Sequence, residues 1–426
     1  MHPRWIRINT LLTTLARELE TTFVGFREVS ELSALTTPSS SKERVIYIDS
    51  NIPSLVAVPS AQDFSASTAY KQGRIIFQEK ASCFPAYLLG PEAFAGDVID
   101  ACAAPGNKTT HLAALVHPPS RNSDRRRRGI FACEKDTARS KTLASMVQLA
   151  GAGDMVTVRA KQDFMKLDPH SPDFAHVEGL LLDPSCSGSG IVGRDEVSVT
   201  IHLPSLDNGK DQEPTRGKKR KRTQQSAEVK LDTKPPDDET AEETAQGPSE
   251  EDKSKLATRL ANLSSFQLRL LQHAMTFPSA KRITYSTCSL HKEENEHVVT
   301  RALLSDIARE RGWRILRKED QVEGLRSWEL RGERTAIRDI AGDAELDEQE
   351  VAEACIRCEK GGTGGTMGFF VAGFIKDDST GAGSLDIDGS SSSVGAGQHM
   401  NGHSEVQDAD EDEDENEWEG FSDSDG

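Results

Sequence analysis

The order of apolar and polar positions divides the chain into a short opening unit, a longer α/β unit and stretches too polar to bury a core. Trp5-Ile6-Arg7-Ile8-Asn9 alternates as a strand does, residues 13–20 have the spacing of a short helix, and Val45-Ile46-Tyr47-Ile48 reads as a second strand. Residues 73–77 form a third candidate strand, and Gln78-Glu79-Lys80-Ala81-Ser82-Cys83 leads into a helix through Leu89. Residues 1–92 are therefore expected to form a small α+β module. From Asp97 strands and helices alternate, which predicts a doubly wound α/β domain around a parallel sheet over residues 93–376. Its expected strands are 98–101, 130–134, 156–159, 179–183, 282–286, 313–316 and 368–374.

Two interruptions break this rhythm. Residues 117–128 (HPPSRNSDRRRR) put a basic loop between the first helix and second strand of the α/β unit. Residues 195 to about 255 are rich in Lys, Glu, Thr, Pro and Ser and predict a disordered insertion. Inside it, Arg216-Gly217-Lys218-Lys219-Arg220-Lys221-Arg222 has the composition of a nuclear-localisation cluster, although such a run also serves as a plain solvated face. Residues 377–426, Gly/Ser-rich and then acidic, predict a disordered tail.

At 426 residues and 36% apolar, the chain has room for one large or two moderate domains. No apolar run approaches the ~20 residues that span a bilayer, and no secretory segment opens the chain, so it reads as soluble, intracellular and without a membrane partner. Seven scattered cysteines suit a reducing compartment. A net charge of −18 argues against a nucleic-acid partner until its distribution is followed. Residues 401–426 hold 12 acids and no Lys or Arg, residues 377–400 hold 4 acids and no bases, and residues 195–255 hold 15 acids against 11 bases. The remaining core sits near +2 and is free to carry a basic face.

The chemistry centres on DVIDACAAPGNKTTHLAAL, residues 97–115. A short apolar strand ends in Asp100, a loop of small residues follows, and Asn107-Lys108-Thr109-Thr110 opens a helix. Such a turn brings backbone N–H groups and a helix start against a cofactor. Gly106 is its single glycine, so the G-x-G-x-x-G of nicotinamide dehydrogenases is missing, and an ordinary βα turn is the plain alternative.

The string DACAAPGNKT, with LLLDPSCSGSG (180–190) and ITYSTCSLHKEENEHVV (283–299), resembles the NSUN (Sun-domain) family of RNA cytosine-C5 methyltransferases in motif content and order. The resemblance covers roughly residues 4–194 and 256–375 and is closest to the branch acting on large-subunit ribosomal RNA. It implies a seven-stranded AdoMet-dependent methyltransferase (Rossmann-like) domain behind an RNA-contacting module. It also implies S-adenosyl-L-methionine as cofactor, no metal, rRNA or a pre-ribosome as partner, a monomer, and work in the nucleus or nucleolus. Members of that branch carry a further N-terminal helical region ahead of HPRWIRINT, which puts this chain's substrate affinity in question.

Carried over residue by residue, the resemblance makes Cys288 the nucleophile, Cys186 the group assisting product release, and Asp183 the residue that positions and protonates the base. Cys102, Ala103, Ala104, Pro105, Gly106, Asn107 and Lys108 become the cofactor loop. Glu134 becomes the ribose acceptor, Arg139 a cofactor-contacting base, Asp163 the partner of the adenine amino group, and Asp183 a contact to the methionine end. Each has a plainer alternative: a packed cysteine, a turn aspartate, a surface arginine or an exposed helix-start lysine. DNA cytosine methyltransferases take their nucleophile from the loop that carries Cys186 here, so exchanged cysteine roles are the rival assignment. Residues 125–128, Lys71, Arg74 and Lys80 are candidate phosphate contacts. Cys355-Ile356-Arg357-Cys358 lacks a second pair or a nearby His and does not predict zinc. Cys83, Cys102 and Cys133 are expected to be packed. A non-catalytic ribosome-assembly factor on the same fold is the rival from another class, and DNA is the rival substrate.

Overall fold

Two sheets organise the computed structural model, which describes residues 2–35, 43–116, 128–191 and 250–377. The basic cluster 216–222, Arg125 to Arg127, most of the expected insertion and the acidic tail lie outside the described residues. The chain opens with β1 (Arg4–Ile8), α1 (Leu15–Thr21), β2 (Arg27–Val29), β3 (Val45–Ile48), β4 (Leu55–Val58), α2 (Thr68–Lys71) and β5 (Ile75–Phe77). They form one sheet in the order β2-β3-β4-β1-β5. The alternation of β1 serves both of its faces. Ile6 and Ile8 pack with Phe23, Val56 and Phe64 inside the module, while Trp5 joins a cluster shared with the rest of the protein.

Helix α3 (Lys80–Leu89) follows, its N-terminus capped by Glu79 and its end turned by Gly90 at φ +56°. Next come β6 (Asp97–Asp100), α4 (Asn107–Val116), β7 (Ile130–Glu134), α5 (Thr137–Leu149), β8 (Val156–Ala160) and β9 (Val177–Leu182). The remainder is α6 (Glu250–Met275), β10 (Arg282–Thr287), α7 (Glu296–Leu303), α8 (Asp306–Arg311), β11 (Trp313–Ile315), α9 (Glu323–Arg326), α10 (Arg334–Ala341), α11 (Glu348–Ala354), β12 (Ile356–Cys358) and β13 (Phe369–Lys376). Their sheet runs β11-β13-β10-β9-β6-β7-β8, with β12 beside β13. Strands β6 to β10 pair in parallel, and β13 is antiparallel to its neighbours. The seven expected strands form that path. The eighth, β12, is the CxxC segment, and α6 begins at Glu250, inside the stretch expected to be disordered.

Two expected phosphate contacts are corrected. Lys80 is internal: its Nζ lies 2.5 Å from Asp49 and donates to Asn51 at 2.9 Å, with side chains only 4% and 0% exposed for the ion pair. Arg74 pairs with fully buried Glu18 at 2.7 Å. Both cations reach inward because a buried acid of the opening module faces them. Lys71 stays exposed, and Arg128 donates to the carbonyls of Pro91 and Phe94. Cys355 and Cys358 are packed in the core, as are Cys83 and Cys133, whose thiols burial pushes up to about 12. No described helix is long and apolar enough to cross a membrane.

Candidate active site

Strands β6 and β9 are neighbours in the sheet, yet β7 and β8 extend to one side of them and β10 to the other. The order reverses here, and in open α/β sheets the crevice beyond the carboxyl ends at such a point takes the ligand. The loops after β6, β9 and β10 carry most of the predicted site residues.

The loop after β6 holds Ala101, Ala103 and Ala104 buried, Cys102 and Pro105 half-buried, and a cis Ala104–Pro105 bond. Gly106 turns the chain into α4 at φ +112°, and a Cβ there would lie 3.0 Å from Met146 Cγ, so glycine suits both backbone and packing. Burial, with the charges of Asp100, Asp183 and Glu134 adding to it, raises the Cys102 thiol far above its ordinary range.

Asp100 is fully buried and accepts a hydrogen bond from Thr109 Oγ1 at 2.7 Å. Burial first, then the nearby Asp183 charge, push its carboxyl up to about 7, against the pull of Thr109 and Lys108. The folded protein thus holds this proton more tightly than the unfolded chain, whose aspartates titrate near ~4. The stabilisation is complete below that value and is lost as pH rises to about 7. Asp100→Asn is therefore expected to lessen the stability lost on going from acidic to neutral pH. Urea midpoints for variant and wild type across that range would decide it, and parallel curves would mean Asp100 stays ionised throughout.

Asp183, just past β9, receives Lys108 Nζ at 2.8 Å and Ser286 Oγ at 2.6 Å. Lys108 also donates to Ser82 Oγ on α3 at 3.0 Å and lies over the Phe369 ring. Burial pulls the Lys108 ammonium down, but Asp183, then Asp100 and Cys288, outweigh it and hold it above its ordinary value.

Cys186 and Cys288 stand on the loops after two paired parallel strands, and their sulfurs are 3.0 Å apart. Both residues are half-buried. The loops are stapled together: Gly190 N–H donates to the Cys288 carbonyl at 3.0 Å and Gly368 N–H to the Gly190 carbonyl at 3.0 Å. A Cβ on Gly190 would lie 2.1 Å from the Gly368 carbonyl oxygen, which only glycine avoids. The Cys186 thiol is raised far above its ordinary range, first by its hydrogen bond with Cys288, then by burial, with Glu294 contributing.

Glu134, buried at the end of β7, accepts from Asp136 N–H at 2.8 Å and lies 3.5 Å from the Arg139 guanidinium. Arg139 also donates to the Ala104 carbonyl at 2.7 Å, bracing the β6 loop. Asp163 caps the short turn Phe164–Lys166 through Met165 N–H. Sequence reasoning passed over Ser82, Ser286, Gln267 and Glu294, all within this network. It also missed Arg7, buried on β1, which donates to Gln78 at 2.7 Å and Thr110 at 2.9 Å and so ties the opening module to α4. A cleft of about 430 Å³ beside the Cys288 loop is lined by residues including Leu256, Leu260, His291, Glu293, His297 and Arg301. Among the described residues, no group of three His, Cys, Asp or Glu side chains could hold a metal ion.

A Rossmann-like sheet closed by one antiparallel strand, with acids at the strand ends and paired cysteines on adjacent loops, defines a methyltransferase-type domain. The family model for the 16S rRNA methyltransferase RsmB/F matches residues 86–202, and that for the ferredoxin-like domain of NOL1/NOP2/Sun domain family member 5 matches residues 2–78. The chain is 37% identical to the 25S rRNA (cytosine-C(5))-methyltransferase rcm1 of Schizosaccharomyces pombe over 87% of its own length and 62% of that protein's. It is 30% identical to the 26S rRNA (cytosine-C(5))-methyltransferase nsun-5 of Caenorhabditis elegans over 89% of its own length and 68% of that protein's. A solved methyltransferase homolog from Pyrococcus horikoshii shares the fold, with a TM-score of 0.53 at 19% identity over 88% of this chain and 87% of that one. The chain belongs to the NSUN5 family of rRNA (cytosine-C5)-methyltransferases. It spans less than two thirds of the fission-yeast relative's length.

Proposed function

We propose that this protein transfers a methyl group from S-adenosyl-L-methionine to C5 of cytosine in RNA, and in large-subunit rRNA in particular, through a covalent bond from Cys288 to C6. The observation that carries the reading is the pair of cysteine sulfurs 3.0 Å apart, with the Lys108–Asp183 ion pair beside them at the switch point of the sheet. The relatives named above as rRNA cytosine-C5 methyltransferases support the substrate class.

The crevice suits S-adenosyl-L-methionine by its chemistry. The ligand is cationic at sulfur and at its amino group and carries ribose hydroxyls, while Asp100, Glu134, Asp163 and Asp183 put carboxylates at or just beyond the ends of β6 to β9. Cys102 to Asn107 would cradle it with backbone, Glu134 would take the ribose, Asp163 the adenine amino group, and Lys108 and Asp183 the methionine end. Arg139 would hold Glu134 and the loop in place. When bound, the cofactor supplies an electrophilic methyl group to C5.

Cytosine C5 is a poor nucleophile until a thiolate adds at C6. The Cys288 sulfur forms that bond, and the proton shared between Lys108 and Asp183 goes to N3, so negative charge does not accumulate on the ring. Once C5 carries the methyl group, its C5 proton passes to water, the C6–sulfur bond breaks and returns Cys288 as the thiolate, the N3 proton returns to Asp183, and Cys186 assists this release. Residues 1–92 would contact RNA ahead of a catalytic domain at 93–376, with 377–426 as an acidic tail. The same reading places the protein in the nucleus or nucleolus, acting as a monomer during ribosome biogenesis, with residues 216–222 as import signal.

The test is transfer of labelled methyl from S-adenosyl-L-methionine to large-subunit rRNA, with a DNA of matching sequence alongside. Label recovered as 5-methylcytosine in RNA alone is expected. Cofactor binding without transfer to any RNA would favour the assembly-factor reading.

A further inference from the structure

One buried carboxylate beside the two cysteines has no part in the steps above. Glu294, six residues after Cys288, is 0% exposed. Its two oxygens accept from Ser187 N–H at 3.0 and 3.2 Å, and Oε1 also accepts from Gln267 Nε2 at 3.0 Å. The same Gln267 amide donates to the Ser185 carbonyl at 3.0 Å. The Tyr285 hydroxyl donates to the Glu294 carbonyl at 2.5 Å and lies 3.1 Å from Gln267 Oε1. The backbone on both sides of Cys186 is thus gripped by one network rooted in Glu294. Among the described residues, no lysine or arginine pairs with this carboxylate.

We infer that Glu294 is a positioning residue that gives the two cysteines different parts. It fixes the Cys186 loop through Ser187 and Gln267, and its negative charge, unpaired by any described lysine or arginine, adds to what disfavours a thiolate on Cys186 and leaves that state to Cys288. A second anion near a buried carboxylate is costly in a low-dielectric interior. The charged and titratable groups coupled to Cys186 are Cys288 and Glu294 on the β10 to α7 segment and Tyr285 on β10. The ammonium of Lys108 is coupled to Cys288 and Asp183. Cys186 therefore sits beside a buried carboxylate, while Cys288 stands within the field of the ammonium. The S–H of Cys186 is then free to donate to the Cys288 thiolate across the 3.0 Å gap. The assignment of Cys288 as nucleophile, which motif spacing leaves open against its rival, gains a physical cause.

This inference rests on the methyltransferase reading for its meaning, but its test reads the thiols directly. The full chain would be alkylated with iodoacetamide across a pH series, and the two cysteine peptides quantified by mass spectrometry. In wild type, Cys288 is expected to react at lower pH than Cys186. Glu294→Gln, which removes the charge, is expected to bring the Cys186 midpoint down by about one unit or more. Gln267→Met, which loosens the loop but keeps the carboxylate, is expected to move it far less. A Cys186 midpoint unmoved by Glu294→Gln, or a Gln267→Met shift as large, would overturn the inference. Should Glu294→Gln not fold, a wild-type Cys186 midpoint below that of Cys288 would overturn it alone. Loss of methyl transfer to RNA in wild type, with the thiol ordering intact, would count against the methyltransferase reading and leave this inference standing.

Discussion

Cys288→Ala is expected to abolish methyl transfer to RNA, by roughly 10⁴- to 10⁶-fold as for other enzymes stripped of their nucleophile, while cofactor binding and the fold persist. The substitution removes one sulfur from a half-buried loop residue and leaves the backbone bond from Gly190 N–H to its carbonyl in place. Its stability cost is expected to stay near ~1 kcal/mol. The proposed cofactor loop from Cys102 to Lys108 lies after a different strand and is untouched. Cys186 is not expected to stand in for the missing nucleophile: the hydrogen bond from Cys288 is gone in this variant, but burial and the Glu294 carboxylate still disfavour a thiolate on Cys186. Cys186→Ala is expected to behave differently: attack on C6 proceeds but release stalls, so that a denaturant-resistant protein–RNA adduct builds up. Labelled transfer and denaturing gels on the two variants would read both effects. An adduct formed by Cys288→Ala instead would reverse the cysteine roles and keep the enzyme.

The parts of this site that are legible in the sequence are those carried by local chain. DACAAPGNKT is a strand end, a small-residue loop and a helix start within ten residues, and each of those features has a local physical cause. The two cysteine strings likewise announce strand ends. Their meeting is a matter of topology: Cys186 and Cys288 are 102 residues apart, and their sulfurs approach because β9 and β10 pair in parallel with Gly179 opposite Arg282. The opening sheet was read less completely. β4 is buried along its whole length and shows no alternation, while β2 has a single buried residue and is defined by its pairing with β3. Charged residues misled in one direction. Lys80 and Arg74 read as phosphate contacts and Glu294 was passed over, and all three turn inward to partners supplied by distant parts of the chain. A buried charge is licensed by its partner, and a partner far away in sequence leaves no local signal.

The largest stability effect is expected where one of those charges sits. Lys80 Nζ is held by Asp49 at 2.5 Å and Asn51 at 2.9 Å, between the rings of Trp5 at 5.3 Å and Trp328 at 5.1 Å. Asp49 also accepts from the N–H groups of Asn51 and Ile52, closing the turn after β3. Asp49→Ala leaves a buried ammonium with a neutral amide and two ring faces, and such a loss costs about 3–5 kcal/mol. Lys80→Met added to Asp49→Ala is expected to restore part of that loss, since no unpaired charge then remains in the core. A urea-denaturation cycle over the two single variants and the double variant isolates the coupling. A cost below ~1 kcal/mol for Asp49→Ala would mean that solvent reaches the ammonium once its partner is gone. The effect is expected to reach the active site as well. Lys80 begins α3, and Ser82, two residues on, accepts the hydrogen bond from Lys108 that helps aim this ammonium at Asp183. A folded Asp49→Ala protein is therefore expected to transfer methyl groups more slowly than wild type, through a joint between the opening module and the catalytic sheet.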